Sequence, residues 1–406
     1  MEEKKKLYLL LDDWDNDRNF VGRELDVIYD KFDVTIVCDT AHTPPDDRFD
    51  CLIYKEPPKY HMLKGMFKAL FDRDTWTEIM RAATYRSEVR SHVLTRISEA
   101  LRFYVKSYLY YVFLKENNCY EDGVIYYLYW NFRKCYAITH EKDKYPNSRV
   151  ISRIHGYDLY DDQIPSGFQP FKPVMDRKLD KLIFVSEHGM EYYLSKYHLD
   201  KSDKYELRCL GTSDHAKMVP YIYRNDIEIV SCSRVDQIKR VGRIAEALSY
   251  INDVTVRWTH FGSGVLLEEV KKHCKELLDD KANITYELKG QVDNAAIHAF
   301  YREHQVDVFV TASSSEGNPV SVMEAMSYGI PIIAPAICNF PNMIKGCGIL
   351  VPPDCKAEDI ADAIGKLANM SEKDIRQLRH DVRGKWDRSF NGDKNNNGFV
   401  ELLDSL

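Results

Sequence analysis

The sequence predicts an α/β protein of two domains, each built on a doubly wound parallel sheet. Its 406 residues exceed what one typical hydrophobic core holds, which favours two or three domains. Its second half alternates regularly between apolar, β-branched runs and amphipathic helical runs. Strict alternation of strand and helix indicates a parallel sheet with helices on its faces.

In the first half the same alternation is looser. Apolar runs predict six strands, and a helical insertion at about residues 58–115 separates the third strand from the fourth. The first run is too short for the apolar region of a signal peptide and predicts a strand instead. The predicted strands are LYLLL, DVTIVCD, DCLIYKE, GVIYYLYW, RVISRIHG and KLIFVSE.

The domain boundary is expected where the pattern lapses, in LGTSDHAKMVPYIYRND. We therefore assign residues 1–212 to an N-terminal domain, 213–385 to a C-terminal domain and 386–406 to a helical tail. The C-terminal domain starts with EIVSCS and alternates as far as VDVFVTAS. Ligands of such folds bind outside the carboxyl ends of the strands, so the functional residues are expected there.

Composition excludes several classes of protein. The chain is 44% hydrophobic and 29% charged, with a net charge of −7, so no basic field is present to hold nucleic acid. Its ten cysteines form no CxxC pair, which predicts buried thiols in a reducing cytoplasm rather than a zinc site. The sequence contains no run of about 18 apolar residues, so no membrane-spanning helix is predicted.

The segment SSSEGNPVSVMEAMSYGIPIIAP, residues 313–335, is the most informative part of the chain. It predicts a loop, a helix and a strand, with Pro319 at the first helical position and Gly329 just past the helix end. The N–H groups of Gly317, Asn318 and Val320 would then form an anion site suited to a phosphate.

Glu316 and Glu324 lie on either side of this predicted helix start. Carboxylates repel a phosphate, so we expect both to accept hydrogen bonds from sugar or ribose hydroxyls. The alternative is that Glu316 caps the helix and Glu324 is solvated.

Basic residues and glycines follow two other strands of the C-terminal domain. Arg234 and Lys239 stand in EIVSCSRVDQIKRVG, where an Arg fork and a Lys point charge suit a diphosphate. They could equally be solvated loop residues. Gly262, Ser263 and Gly264 open a helix in THFGSGVLLEEV and permit close approach of a nucleotide.

Together these motifs resemble the E-x7-E signature of retaining GT-B glycosyltransferases of family 4, the glycosyl transferases group 1. SRIHGYDLY, LYWN and FVSEHGMEYYL are similar to the subset that builds bacterial surface polysaccharides. The resemblance implies two Rossmann-like domains facing across a cleft. It also implies a hexosyltransferase that moves a sugar, from a UDP-sugar by preference, to a glycan or lipid-linked acceptor with retention of configuration.

The resemblance also implies residue roles. Arg234 and Lys239 would stabilise the departing diphosphate, Glu316 would orient the donor sugar, and Glu324 would hold the ribose. Gly290 matches a glycine near the nucleobase. His155 in SRIHGYDLY would contact the donor sugar, with acceptor contacts from Tyr157 and Asp158. Neither a metal nor a cofactor is expected, because the cations and the helix N-terminus supply the charge.

The first loop, DDWDNDRNFVGREL, departs from the family pattern of paired glycines, because Gly22 stands alone. Arg18, Asn19 and Arg23 are candidates for an acceptor phosphate. The three aspartates at 13, 15 and 17 allow a rival interpretation as the metal site of a GT-A transferase, which would not explain the second sheet. An acidic helix start is the ordinary interpretation.

Two other segments leave alternatives open. The insertion is basic and interleaved with aromatics such as Phe67, Phe71 and Trp76, so it could lie on the inner face of the cytoplasmic membrane or be an ordinary amphipathic helix pair. Residues 393–404 fit an EF-hand loop, but a polar turn before a short helix is the preferred prediction.

Other functions are also open. A GT-B nucleotide-sugar epimerase would release nucleotide without an acceptor, and a catalytically silent GT-B subunit would stabilise a partner. Intact Arg234, Lys239, Glu316 and Glu324 argue against the silent subunit. A dehydrogenase is disfavoured because no G-x-G-x-x-G follows the first strand.

Overall fold

The computed structural model describes residues 4–43, 45–86, 91–215, 220–316 and 318–406, without the side chains of Asn19 and Phe20. The chain forms two compact units, one of residues 1–208 with 396–406 and one of residues 209–395.

The first unit is built on a parallel sheet. Its described strands are β1 (Lys5–Leu10), β2 (Phe32–Cys38), β3 (Asp50–Ile53), β4 (Ile125–Leu128), β5 (Arg149–Ile154), β6 (Lys181–Phe184) and β7 (Tyr205–Leu207). They lie in the order β3-β2-β1-β4-β5-β6-β7, and every recorded pairing is parallel. All six strands predicted for this half are present, whereas β7 was not predicted.

Strand β1, in the interior of this sheet, is buried on both faces from Leu7 to Leu10, whereas the edge strand β3 is partly exposed. On β1, Leu7 and Leu9 pack into one apolar cluster, and Tyr8 and Leu10 pack into another. Helices cover both faces of such a sheet, so its strands need apolar residues at every position. This explains why LYLLL has no polar alternation.

Helices connect the strands of the first unit, as the looser alternation of its sequence predicted. They are α1 (Trp14–Lys31), α2 (Lys59–Ala69), α3 (Arg73–Thr84), α4 (Val93–Glu116), α5 (Arg133–Glu141), α6 (Lys172–Lys178) and α7 (Glu187–Tyr197). The predicted insertion holds α2, α3 and α4. Helix α1 begins within the segment DDWDNDRNFVGREL, at Trp14, because the Asp13 side chain accepts from the amide of Asn16 and caps it.

The second unit has its own parallel sheet. Its strands are β8 (Asp226–Cys232), β9 (Thr255–Phe261), β10 (Ile284–Gly290), β11 (Val308–Val310), β12 (Ile332–Pro335) and β13 (Gly348–Val351). Their order is β10-β9-β8-β11-β12-β13. The winding direction therefore reverses between β8 and β11, the position at which doubly wound folds form a binding crevice.

Helices flank this second sheet and continue into the C-terminus. They are α8 (Gly242–Ser249), α9 (Leu267–Leu278), α10 (Asn294–Glu303), α11 (Val320–Ser327), α12 (Phe340–Met343), α13 (Ala357–Ala368), α14 (Glu372–Ser389) and α15 (Gly392–Asp404).

The unit boundary falls between Arg208 and Cys209, before the predicted position after residue 212. Thr212 belongs to the second unit because its hydroxyl accepts from the Trp386 indole at 2.9 Å. The predicted tail, 386–406, is shared, because residues 396–406 belong to the first unit. There the ring of Phe399 lies 4.9 Å from that of Tyr127.

Residues 393–404 lie within α15. A helix cannot wrap a cation as the open EF-hand loop does. The EF-hand alternative is therefore wrong. The preferred prediction, a polar turn before a short helix, is right about the helix but wrong about the turn, because α15 already begins at Gly392.

Candidate functional site

The predicted donor residues gather at the carboxyl edge of the second sheet. The loops that follow the neighbouring strands β8 and β11 carry Arg234, Lys239 and Glu316. A cavity of about 370 Å³ lies there, and Arg234, Lys239, Gly262, Glu316, Pro319 and Val320 line it. Residues predicted from three separate sequence segments thus share one cavity.

Lys239 and Glu316 form an ion pair. The Lys239 Nζ donates to Glu316 Oε1 at 2.6 Å, and only 18% and 10% of the two side chains are exposed. The Lys239 loop is fixed by Asp236, whose carboxylate accepts from the amide of Lys239 at 2.9 Å. A ligand phosphate at Lys239 would therefore replace an existing carboxylate partner.

Arg234 differs from Lys239 in its exposure. Its side chain is 76% exposed and contacts only Asp236, at 3.5 Å, among the ion pairs of the described residues. Exposed ion pairs of this kind contribute little energy. The guanidinium is therefore available to an anion that enters the cavity.

The glycine turn after β9 lies directly against the loop after β8. Gly262 has a φ of 136°, and a Cβ there would lie 1.9 Å from the carbonyl oxygen of Ser233. A Cβ on Gly264 would lie 2.4 Å from the Val235 carbonyl oxygen. These glycines are thus required by close backbone packing inside the protein, whatever the ligand. The intervening Ser263 carbonyl accepts from the amide of Val235 at 3.0 Å.

Gly290 ends β10 with a φ of 68°, a conformation that favours glycine. Its carbonyl accepts from the Gly262 amide at 2.8 Å. The residue predicted near the nucleobase therefore supports the glycine turn.

Helix α11 begins at the cavity. Pro319 is the residue that precedes the helix, not its first residue as predicted, and its carbonyl accepts from the amides of Val322 and Met323. The amides of Val320 and Ser321 come before Val322 in the helix. As first-turn amides they have no intrahelical acceptor. The expected end is confirmed, because Gly329 follows the helix with a φ of 68°.

The loop before α11 is only partly described. Asn318 Oδ1 accepts from Asn339 Nδ2 at 2.8 Å, which anchors the loop on the residue that precedes α12. Gly317, predicted to contribute an amide, lies outside the described residues, as does the side chain of Asn19 on α1.

Glu324 is buried on α11 and is not among the described residues that line the cavity. Its Oε1 accepts from Asn294 Nδ2 at 2.8 Å and lies 3.6 Å from Nε2 of His298. The alternative interpretation, in which Glu324 is solvated, is therefore wrong. A ribose hydroxyl would have to share this carboxylate with Asn294.

In the first unit, His155 follows β5. Its ring centre lies 4.4 Å from that of Trp130, and neither ring nitrogen has a hydrogen-bond partner among the described residues. Burial, together with the positive charge of Arg153, lowers the pKa of His155 to about 3. The imidazole is neutral near pH 7 and keeps a donor and an acceptor for a ligand.

Asp158 is buried and holds the loop that carries His155. One carboxylate oxygen accepts from the His155 amide at 2.6 Å, and the other accepts from the Asn131 amide at 2.7 Å. Tyr157, by contrast, is 55% exposed. Both residues line a cavity of about 350 Å³ in this unit. Arg18 and Arg23 are exposed on α1 and are not among its described lining residues.

The three aspartates of the first loop point to separate partners. Asp13 caps α1, Asp15 accepts from the amides of His42 and Thr43, and Asp17 accepts from the Trp130 indole at 3.1 Å. Across the described ranges, no group of three or more His, Cys, Asp or Glu residues could hold a metal. The rival GT-A interpretation also fails on the fold, which has two parallel sheets.

Several residues of the donor cavity were not predicted. Cys232, Ser233, Gln291 and Thr311 line it, and each is at or just after the carboxyl end of a strand. Their position at a strand end is the sequence feature that could have indicated a role in the cavity. These residue types form no recognisable motif by themselves.

Comparison with known proteins identifies the segment that contains this cavity. Residues 226–370 match the family of glycosyl transferases group 1. The resemblance predicted from the motifs is thereby confirmed. The match covers β8 to α13 and so includes Arg234, Lys239, Glu316 and Glu324.

Two relatives extend the similarity. The putative colanic acid biosynthesis glycosyltransferase WcaL of Escherichia coli K12 is 24% identical over 277 residues, 64% of each chain. The O-antigen biosynthesis glycosyltransferase WbnH of Escherichia coli is 35% identical over 177 residues, 39% of this chain and 47% of that protein. The alignments thus span between about half and two thirds of these relatives.

The fold is that of the GT-B glycosyltransferases, as predicted. One solved structure with this fold, the Anabaena protein HepE in complex with UDP and glucose, is 11% identical and has a TM-score of 0.64. The superposition covers 99% of this chain and 100% of that chain. Within the described residues, no helix is both long enough and apolar enough to cross a membrane.

Proposed function

We propose that this chain is a retaining glycosyltransferase that moves a hexosyl group from a UDP-sugar to an acceptor hydroxyl during assembly of a bacterial surface polysaccharide. The observation that carries the proposal is the donor cavity, in which Arg234, the Lys239–Glu316 pair and the start of α11 converge. The family match of residues 226–370 and the names of the two relatives support the same conclusion.

The charges in the cavity fit a nucleotide diphosphate. Arg234 is exposed, Lys239 lines the same cavity, and the first amides of α11 add the positive end of a helix dipole. As the bond between the sugar and the diphosphate breaks, negative charge grows on the departing phosphate oxygens. Fixed cations and amide donors stabilise that charge, so no metal ion or cofactor is needed for this step.

Glu316 would hold the sugar rather than the phosphate. When the diphosphate takes over Lys239, the carboxylate of Glu316 is released to accept hydrogen bonds from sugar hydroxyls. The acceptor oxygen then forms the new bond to the anomeric carbon on the face that the diphosphate leaves. The proton of the acceptor hydroxyl passes to the departing phosphate oxygen, which balances the transfer without a protein nucleophile.

UDP is the proposed nucleotide because HepE, which has the same fold, holds UDP and glucose. A glycan or a lipid-linked glycan is the proposed acceptor, and the chain would act in the cytoplasm at the inner face of the cytoplasmic membrane. The resemblance to the family keeps neutral His155, in the first unit, as the proposed sugar-contacting histidine.

The proposal is tested by assaying nucleotide release from UDP-, GDP- and ADP-sugars with and without a glycan acceptor extract. We expect one UDP-sugar to be consumed when acceptor is present, and Glu316→Gln to slow the reaction by about a hundredfold. Release of free UDP at full rate without acceptor would instead indicate the epimerase. Consumption of none of the donors by the folded protein would contradict the proposal.

A further inference from the structure

Helix α2 packs through a narrow face on which two of the three residues are small. Its buried residues are His61, Gly65 and Ala69, which recur every fourth position and form one narrow face. A Cβ on Gly65 would lie 2.8 Å from Tyr108 of α4, so the two helices are in close contact there. The large apolar residues of α2, which would normally form the buried face of an amphipathic helix, therefore lie on its other faces.

The large apolar residues of α2 face outward. Tyr60, Leu63, Phe67 and Phe71, the last just beyond the helix end, are 61%, 64%, 63% and 75% exposed. The rings of Phe67 and Phe71 lie 5.0 Å apart. A surface helix normally buries such residues. Helix α2 reverses this arrangement for its large apolar residues, which are exposed together with its lysines.

Helix α3 repeats this reversal. It buries Thr75, Glu78 and Ala82 and exposes Trp76 and Met80 by 52% and 63%. The Trp76 indole donates to the carbonyl oxygen of Leu70 at 2.8 Å, which joins the two exposed surfaces. We define the α2–α3 face by its exposed apolar residues, which are Tyr60, Leu63, Phe67, Leu70, Phe71, Trp76 and Met80.

The charge beside this face indicates what covers it. Helix α2 carries Lys59, Lys64 and Lys68 and no carboxylate, although the whole chain has a net charge of −7. Contiguous exposed apolar surface marks an interaction site. Lysines beside aromatic and aliphatic residues match the headgroup region of an anionic bilayer, where apolar side chains enter the acyl boundary and cations meet lipid phosphates.

We propose that the α2–α3 face docks on the surface of a bilayer that contains anionic lipid. The inference does not depend on the donor cavity, which belongs to the second unit. It gives the proposed transferase a means of reaching a lipid-linked acceptor.

The test is co-sedimentation of the full-length chain with vesicles of phosphatidylcholine alone or of phosphatidylcholine with phosphatidylglycerol. We expect binding to the mixed vesicles only, decreasing as salt is raised. Phe67→Ser/Phe71→Ser should abolish this binding, and Lys59→Gln/Lys64→Gln should weaken it by about thirtyfold. All four side chains are exposed, so both variants should fold, which an unchanged unfolding midpoint would verify.

Ile222→Ser is the matched control, because Ile222 is 71% exposed in the second unit. This variant should bind vesicles as the wild type does. Equal binding to neutral vesicles, or unchanged binding by the Phe67→Ser/Phe71→Ser variant, would overturn the proposal. So would a concentration-dependent dimer, seen by size-exclusion chromatography and lost in that variant, because a second copy would then cover the face.

Discussion

Lys239 and Glu316, from the loops after two neighbouring strands, form an ion pair with 2.6 Å between Nζ and Oε1. Each of these residues neutralises the other at the place where the proposed donor would put its diphosphate and its sugar. Donor binding therefore exchanges partners, since the phosphate takes the lysine and the sugar takes the carboxylate.

Glu316→Gln should separate nucleotide binding from sugar transfer. Without the carboxylate, Lys239 is free for phosphate, so the affinity for free UDP should stay unchanged or rise by up to about fivefold. Transfer should fall by about a hundredfold because the sugar loses its acceptor group. Calorimetric titration with UDP and a transfer assay measure the two effects. A parallel loss of both would show that Glu316 acts only on the structure of the loop.

Gly262→Ala should destabilise the second unit by about 3 kcal/mol or more, because its Cβ would overlap the Ser233 carbonyl oxygen. Gly365→Ala is the control. Gly365 lies within α13 with nothing within 4 Å of its added Cβ, so this change should stabilise the protein by about 0.5–1 kcal/mol. Urea unfolding measures both changes, and equal effects would contradict the packing described for the glycine turn.

The pH dependence of stability should report on His155. Its pKa is lowered from 6.5 to about 3, by burial and then by Arg153. Between these values the unfolded chain binds a proton that the folded chain does not, so the free energy of unfolding decreases as the pH falls from 6.5 towards 3. His155→Gln should lose less stability over this range.

Urea unfolding between about pH 7 and pH 4 tests this difference. His42→Gln, which changes a ring that is 88% exposed, should follow the wild-type curve. Identical pH curves for wild type and His155→Gln would contradict the burial of the imidazole.

Asp158→Asn should loosen the loop that carries His155. The amide offers one acceptor oxygen where the carboxylate serves the two amides of Asn131 and His155, so one buried N–H loses its partner at a cost of about 1–3 kcal/mol. Transfer activity should fall while UDP binding, in the other unit, stays unchanged. Tyr157→Phe leaves these bonds intact and should keep wild-type stability. Weaker UDP binding by Asp158→Asn would refute this assignment.

Most strands could be predicted because buried parallel strands are recognisable as continuous apolar runs, as in LYLLL. β7 was missed because YEL is too short and too polar for that signal. The packing of residues 396–406 on the first unit could not be predicted either, because the partners of Phe399, such as Tyr127, lie far away in sequence. The buried pair of Glu24 and Arg153, 2.6 Å apart, likewise has no local signal.

The donor motifs predicted which residues lie in one site. Which of these residues bond to each other depends on tertiary packing. The family pattern placed Lys239 and Glu316 near one ligand, yet nothing in either loop specifies that they pair with each other. The glycine turn was predicted from its ability to approach a nucleotide. In the structure, Gly262 and Gly264 approach the protein's own backbone, a constraint visible only in three dimensions.

The cavity with Arg234 and Lys239 is the proposed binding site of a nucleotide diphosphate. The most direct test of this proposal is a thermal-shift titration with UDP, GDP and ADP, in which a ligand at 100 times its Kd adds about 2.7 kcal/mol of stability. We predict that UDP raises the Tm of the wild type and of Arg376→Ala, an exposed change on α14, but not of Arg234→Ala or Lys239→Ala. A Tm unmoved by every nucleotide, or raised equally in all four proteins, would contradict the account.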